Sequence, residues 1–158
     1  MSNVDAAIQS VNRLFTDVFR DAKLAVADEV LTKDFRFQYP FPGFPPGPEG
    51  IKEFTKVVHG AFPGFQLEIH DLFGTEGKDA VQVAIRWTLR GHHKGDFLGA
   101  KASGNYVTVS AIGVYMTHGL RSPLLASGWL EMDTLGLLQQ MKVVSPLSDL
   151  LPSLRGKA

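Results

Sequence analysis

Apolar residues recur at spacings of three and four over residues 4–19, which predicts an amphipathic helix at the start of the chain. A shorter apolar cluster predicts a second helix over 24–31, and alternation at 35–39 predicts a strand. Pro48 and Glu49 suit the first turn of a third helix, because proline fits the first helical position and a carboxylate there favours the helix dipole. Helices therefore dominate the first part of the chain.

Strand-like stretches follow these helices. The clearest is 80–90, where every second residue is apolar, so that one face of the strand should be buried. The predicted strands span residues 65–73, 80–90, 105–117 and 125–133, and a short closing helix spans 135–141. Helices followed by consecutive strands predict an α+β architecture, in which three N-terminal helices cover one face of a curved antiparallel sheet and enclose a conical pocket.

Proline marks two irregular regions. Residues 40–48 hold five of the nine prolines together with Phe41 and Phe44, which predicts an ordered loop rather than a flexible linker. The end of the chain contains prolines and leucines that could dock on the domain or form a mobile end. We therefore expect one domain over 1–142 and a C-terminal tail over 143–158.

Composition narrows the possible functions. The 158 residues are 44% hydrophobic, which is enough for a core, and carry 16 basic and 16 acidic side chains. This balance argues against a nucleic-acid partner, and the absence of cysteine excludes disulfides and thiolate chemistry. The chain start lacks a signal-peptide pattern and no apolar run is long enough for a membrane helix, so we expect a cytoplasmic protein without a membrane partner. A small, neutral, apolar domain also suggests a homodimer formed through the open face of the sheet.

Six short motifs occur in an order typical of one known family. They are FPGFPPG at 41–47, EGIK at 49–52, RWTLRG at 86–91, HKGDFLG at 93–99, VTVS at 107–110 and WLEMDTLGLLQQ at 129–140. With these motifs the chain resembles the SnoaL-like polyketide cyclases, of the nuclear-transport-factor-2-like superfamily, over roughly residues 8–141. The resemblance implies a cone-shaped α+β barrel. It says less about function, because proteins of this superfamily perform many different activities in the same cavity.

The resemblance implies an aldol-type ring closure on a polyketide ester, with no metal and no cofactor. In the family, an aspartate on the last strand acts as general acid and base, and a histidine on the preceding strand assists it. This chemistry is plausible because a carboxylate in an apolar pocket has a raised pKa and can exchange a proton with an activated carbon acid.

The chain departs from the family where these catalysts would stand. Leu130 occupies the aspartate position after Trp129, Gly113 aligns with the histidine, and Phe54 aligns with a polar asparagine of the third helix. Either another group performs the chemistry or the pocket only binds.

Two other carboxylates lie close to the aspartate position. Glu131 and Asp133 are two residues apart on a predicted strand and so share one face, where they could divide the acid and base roles if that face lines the pocket. In the simpler structural interpretation, Asp133 caps the closing helix and Glu131 lies on the solvated face.

His93 and Tyr39 complete the catalytic candidates. His93 lies beyond the 80–90 strand and could shuttle protons at the pocket rim, because histidine titrates near neutrality. Tyr39 could donate a hydrogen bond to a substrate carbonyl. The structural alternatives are a hairpin histidine in water and a half-buried strand tyrosine.

Aromatic and apolar residues are the candidates for substrate contact. Trp87 shares the phase of the buried residues of its strand, and Tyr115 alternates so as to face the cavity. Aromatic walls suit a flat polycyclic or isoprenoid ligand, although aromatic strand residues can equally be plain core. The predicted binding set is Trp87, Tyr115, Phe54, Leu130 and Trp129, of which Trp129 also fits a structural role.

Two functional hypotheses therefore remain. The first is a small cofactor-free enzyme that cyclises, isomerises or hydrates a hydrophobic polyketide- or terpenoid-like intermediate. The second is a non-catalytic protein that binds a hydrophobic small molecule and has lost the acid/base residues. A buried carboxylate or histidine in the cone would favour the enzyme, and a wholly apolar wall would argue against it.

Overall fold

The computed structural model describes residues 1–151 and 153. Helix α1 (Asn3–Arg13) opens the chain with a capping box, in which Ser2 and Asp5 satisfy each other's backbone N–H groups. It continues without a break into a π-helix over Leu14–Arg20. The predicted helix at 4–19 is therefore present, but its second half is wound more widely than the spacing implied.

Two hydrogen bonds of side chains to backbone carbonyl groups lie near the ends of the π-helix. Thr16 Oγ1 donates to the Asn12 carbonyl at 2.9 Å, and the His59 ring nitrogen Nε2 lies 2.8 Å from the Phe19 carbonyl oxygen. Its buried residues are Leu14, Phe15, Val18 and Phe19. The altered winding thus directs two pairs of apolar side chains at the sheet.

The second predicted helix is shorter than expected. A 3₁₀ turn at Leu24–Val26 leads into the single-turn helix α2 (Ala27–Val30), and strand β1 (Leu31–Gln38) begins at once. The strand starts four residues before the predicted 35–39 because β1 pairs with a strand from the other end of the chain, and that pairing has no local sequence signal. Helix α3 (Pro48–Ala61) follows the proline-rich loop.

The four remaining strands form a sheet with β1 in the order β1-β5-β4-β3-β2. Their bounds are β2 Gln66–Glu76, β3 Val81–His92, β4 Tyr106–Thr117 and β5 Leu125–Met132. Neighbouring strands are antiparallel except β1 and β5, which are parallel. The predicted α+β fold with a curved sheet covered by N-terminal helices is confirmed, and the parallel edge pair makes the sheet mixed.

The end of the domain is fastened to β4. Helix α4 (Thr134–Gln140) places Leu137 in the core, and the Gln140 side chain bonds the backbone N–H and C=O of Thr108 at 2.7 and 3.0 Å. A one-turn helix α5 (Leu147–Leu150) follows. The predicted tail at 143–158 lies partly outside the described residues, at 152 and 154–158. No helix in the described part of the chain has both the length and the hydropathy of a membrane span.

Strand β4 shows which side chains belong to each face of the sheet. Its residues alternate between exposed and buried along its whole length, so that every second side chain points to the helices. Among the inward residues, Tyr115 is only 2% exposed, and its neighbour two positions back is Gly113. Directly opposite Tyr115 on β5 is Gly128.

The two glycines make room for the Tyr115 ring. A Cβ at Gly113 would lie 2.9 Å from the ring, and one at Gly128 would lie 2.7 Å from it and 2.8 Å from the Phe37 ring. Phe37 and Tyr115 stack with 5.9 Å between ring centroids. The space that side chains at 113 and 128 would use is therefore occupied by aromatic rings.

We predict that Gly113→Ala lowers the free energy of unfolding by about 1–3 kcal/mol, because the added methyl group meets the Tyr115 ring in a packed interior. Urea titration measures the change. The matched control is Gly60→Ala in α3, where a Cβ meets no atom within 4 Å and replacing glycine should gain up to about 1 kcal/mol.

A double-mutant cycle with Tyr115→Leu isolates the contact. If the Tyr115 ring is the obstacle, the penalty of Gly113→Ala shrinks in the Tyr115→Leu background. An equal penalty in both backgrounds would show that another feature of the Gly113 position causes the loss.

Candidate functional site

A small cavity of about 30 Å³ lies between the helices and the inner face of the sheet. It is lined by Leu14, Phe15, Phe19, Phe37, Ile51, Phe54, Thr55, Trp87, Tyr115 and Leu130. Among the described residues, its wall contains no carboxylate, imidazole or cationic side chain. This volume accommodates about two water molecules at most, so a larger guest would have to displace side chains.

A second void of about 20 Å³ lies next to the first. Phe19, Phe54 and Trp87 line both voids and so form a partition between them. The Phe19 ring stacks on Phe54 at 6.0 Å and tilts against Trp87 at 5.9 Å between centroids. Movement of these rings would join the two voids into one longer cavity.

Two polar atoms of the first cavity's wall lack a hydrogen-bond partner among the described residues. They are the Thr55 hydroxyl and the Trp87 indole nitrogen Nε1, both buried. Buried polar groups are ordinarily paired, and each one left unpaired costs stability. The Tyr39 hydroxyl, at the end of β1, is buried and unpaired in the same way.

The two tyrosines of this region stay protonated. Burial, and secondarily the nearby Glu53 carboxylate, raises the pKa of Tyr39 well above its usual range. Burial likewise raises the pKa of Tyr115, with a smaller contribution from Tyr39. Both phenols are therefore neutral hydrogen-bonding groups at physiological pH.

The structure brings four of the five predicted binding residues together. Trp87, Tyr115, Phe54 and Leu130 all line the cavity. The strand alternation placed Trp87 and Tyr115 on the correct face, and Phe54 lies on the buried face of α3. Trp129 instead points to the open face of the sheet and is 54% exposed. The contact of these residues with a ligand stays a prediction.

The predicted carboxylates lie elsewhere. Asp133 is exposed and caps α4, where its Oδ1 accepts from the Gly136 N–H at 2.9 Å. Glu131 is exposed beside Trp129, whose indole N–H donates to its Oε1 at 2.8 Å. Both placements match the structural interpretation, because β5 turns Leu130 inward and its neighbour Glu131 outward.

His93 is fully buried, in contrast to the expected hairpin histidine in water. The Ser103 N–H donates to its Nδ1 at 3.1 Å, which places the proton of the neutral ring on Nε2, and Nε2 has no partner among the described residues. Its ring lies 5.4 Å from that of Phe62. Desolvation by burial is the main reason that the pKa of His93 is lowered.

Sequence reasoning missed Thr55. The residue lies on the buried face of α3 with Ile51 and Val58, and the spacing of three and four that predicts this face also includes position 55. A polar residue inside an apolar stripe was the signal. No group of three or more His, Asp or Glu side chains in the described chain is placed to hold a metal ion.

Comparison with known families decides the identity of the fold. The family model described as SnoaL-like polyketide cyclase matches residues 9–141. The chain belongs to the SnoaL-like polyketide cyclase family. No curated protein sequence matches it closely enough to serve as a relative.

Solved structures share the fold of this chain. TsrD from Streptomyces laurentii superposes with a TM-score of 0.73 at 27% identity, covering 88% of this chain and 97% of TsrD. A protein from Jannaschia sp. CCS1, assigned by name to the SnoaL-like polyketide cyclases, superposes with a TM-score of 0.75 at 22% identity over 90% of this chain and 95% of its own. AclR from Streptomyces galilaeus, named as a hydroxylase, reaches 0.73 at 17% identity over 96% and 92%.

We predict that this SnoaL-like protein loses stability as the pH falls below about 6.5. The pKa of His93 is lower in the folded chain than in the unfolded chain, so the unfolded state binds the proton more readily. The neutral His93 ring makes its full contribution to the free energy of unfolding above the pKa that histidine has in the unfolded chain. Below that pKa the contribution declines, with a slope of at most about 1.4 kcal/mol per pH unit.

Urea titrations between pH 7.5 and 5.5 measure this slope. His93→Gln serves as the control, because its amide oxygen can still accept from the Ser103 N–H but does not titrate. The variant should give a flatter curve than the parent protein, and parallel curves would contradict the assignment to His93.

Proposed function

We propose that the protein binds a small, uncharged, mainly apolar molecule inside the cone and that it does not perform the family's carboxylate-dependent step. The observation that carries this proposal is the uncharged wall, with Leu130 buried where the family resemblance places the catalytic aspartate. Of the two hypotheses, the geometry favours the non-catalytic one.

The interior fits a ligand-binding role better than a purely structural role. A close-packed core has few voids and pairs most of its buried polar atoms, whereas this one has two adjoining voids with Thr55 and Trp87 unpaired among the described residues. Ligand binding would supply partners for these atoms. The aromatic partition would move aside as the guest enters.

The family supports a ligand of the polyketide or terpenoid type. Several structural neighbours are named as polyketide cyclases, and aromatic walls complement flat or isoprenoid carbon skeletons. The small resting volume favours a compact guest, such as one ring with a short side chain.

The second candidate is an acid/base enzyme that cyclises, isomerises or hydrates its substrate. Two observations favour it: among the described residues, the buried Tyr39 hydroxyl and the buried His93 Nε2 both lack partners, although neither residue lines the two voids. If the protein is such an enzyme, the Tyr39 hydroxyl and the His93 ring would transfer the proton, because Asp133 and Glu131 face solvent.

Isothermal titration with acetophenone and benzoate tests the binding proposal. We predict that acetophenone binds, whereas benzoate binds at least about 10-fold more weakly, because its charge would enter an uncharged wall. Failure of acetophenone to bind would contradict the proposal.

Leu130→Asp tests the wall itself, and Leu130→Met is the uncharged control of similar volume. A carboxylate at this position should weaken acetophenone binding about 10-fold or more at pH 7.5, and the methionine should retain it. Equal binding by all three proteins would show that Leu130 does not contact the guest. Turnover of a keto ester by the parent protein, abolished in His93→Gln, would instead support the enzyme.

We also propose that the open face of the sheet joins two copies of the chain. This face carries the exposed side chains of Ile112, Val114, Met116 and Trp129 along a groove of about 780 Å³. The apolar strip is bordered by both signs of charge, with Arg36 and Glu131 in the same groove. A two-fold axis would set each strip against its copy and opposite charges against each other, which makes the surface self-complementary.

Sedimentation velocity tests the dimer. We predict a dimer for the parent protein and a monomer for Val114→Arg, because a charge in the centre of the strip would be buried without a partner. Asp79→Asn, in the exposed turn between β2 and β3, changes the charge by the same +1 and should remain dimeric. A monomeric parent protein would refute the assignment.

A further inference from the structure

We infer that Thr55 and Trp87 form an oxygen-binding subsite, so that the guest carries one uncharged oxygen acceptor, a carbonyl or an ether. The inference rests on the proposed binding function and adds the chemical class of the ligand.

The Thr55 hydroxyl lines the first void without a partner among the described residues. A threonine inside a helix usually bonds the carbonyl oxygen four residues earlier, which here would be that of Ile51. Thr55 is fully buried, yet its hydroxyl bonds no described group. A valine would fill the same volume without an unpaired polar atom, so the hydroxyl lowers the stability of the free protein. A guest that pairs with it would recover that loss.

The Trp87 indole is the second group of the subsite. Its N–H can only donate, it is buried on the inner face of β3, and it too lacks a partner among the described residues. Trp87 lines both voids, whereas Thr55 lines the first. An oxygen atom of the guest, placed between the Thr55 hydroxyl and the Trp87 indole N–H, could accept from both groups through its two lone pairs. The carbon atoms of the guest would then extend into each void.

The surroundings decide the charge of the guest. No described cationic side chain lines either void, so an anionic group would remain uncompensated. The polar atoms of the wall include the phenol of Tyr115, and burial keeps that phenol protonated. Donors without a counter-charge suit a ketone, ester or ether and disfavour carboxylates and phosphates.

A water molecule offers the same oxygen chemistry as a ligand. The first void is large enough for one, and a water between Thr55 and Trp87 would satisfy both atoms in the unliganded protein. The test must therefore compare a guest that brings its own oxygen with one of the same shape that does not.

The experiment compares acetophenone with α-methylstyrene, in which a methylene group replaces the carbonyl oxygen. Dissociation constants of both probes are measured by NMR titration for the parent protein, Thr55→Val and Thr55→Ser. The ratio of the two constants, ketone over alkene, cancels differences in probe hydrophobicity. We expect this ratio to rise about 3- to 10-fold in Thr55→Val, the loss of one hydrogen bond, and to stay at the parent value in Thr55→Ser.

The free protein supplies a second readout. Thr55→Val should melt at a higher temperature than the parent protein, since an unpaired buried hydroxyl is removed, so the variant is expected to fold. A variant that is more stable yet discriminates less between the probes would support the subsite.

The outcomes separate the two proposals. If both probes bind and their ratio is the same in all three proteins, the oxygen subsite is refuted and the binding function stands. If Thr55→Val melts lower, a water or a protein group satisfies the hydroxyl in the free protein, and an unchanged probe ratio in that variant then refutes the subsite. If neither probe binds the parent protein, the binding function itself fails.

Discussion

The Tyr115 ring lies against two glycines, Gly113 and Gly128, and the interior of the cone is closed around that contact. Because neither glycine has a side chain, β4 and β5 can accept an aromatic ring flat on their inner surface. Phe37 then stacks on Tyr115, and Phe15 meets it edge-on at 5.8 Å. These aromatic rings fill space between the helices and the sheet that a pocket would occupy in a wider cone.

This contact links packing to function. Gly113, which the family resemblance aligns with a histidine, leaves its space to Tyr115. Leu130, which the resemblance aligns with the aspartate, turns inward to the same cavity. The result is an interior with small voids, neutral donors and no carboxylate among the described wall residues. Such an interior discriminates by shape and by hydrogen bonding more readily than it transfers protons.

Much of this could be predicted from the sequence. Alternation along β3 and β4 placed Trp87 and Tyr115 on the inner face, and the family motifs gave the fold. Long-range features were missed: the His59 ring contacts the Phe19 carbonyl of the π-helix, and β1 begins early where it pairs in parallel with β5. The structural alternative of a hairpin histidine in water is wrong for His93, which is buried and accepts a hydrogen bond from the loop that carries Ser103.

The central claim is that the guest binds inside the cone at Trp87, and the indole N–H resonances test it most directly. The chain has two tryptophans, so a ¹H–¹⁵N spectrum shows two such signals, assigned with Trp129→Phe. On addition of acetophenone, the Trp87 signal should move downfield as its proton gains an acceptor, and the Trp129 signal should keep its position. A shift of Trp129 alone, or of neither, would contradict the account.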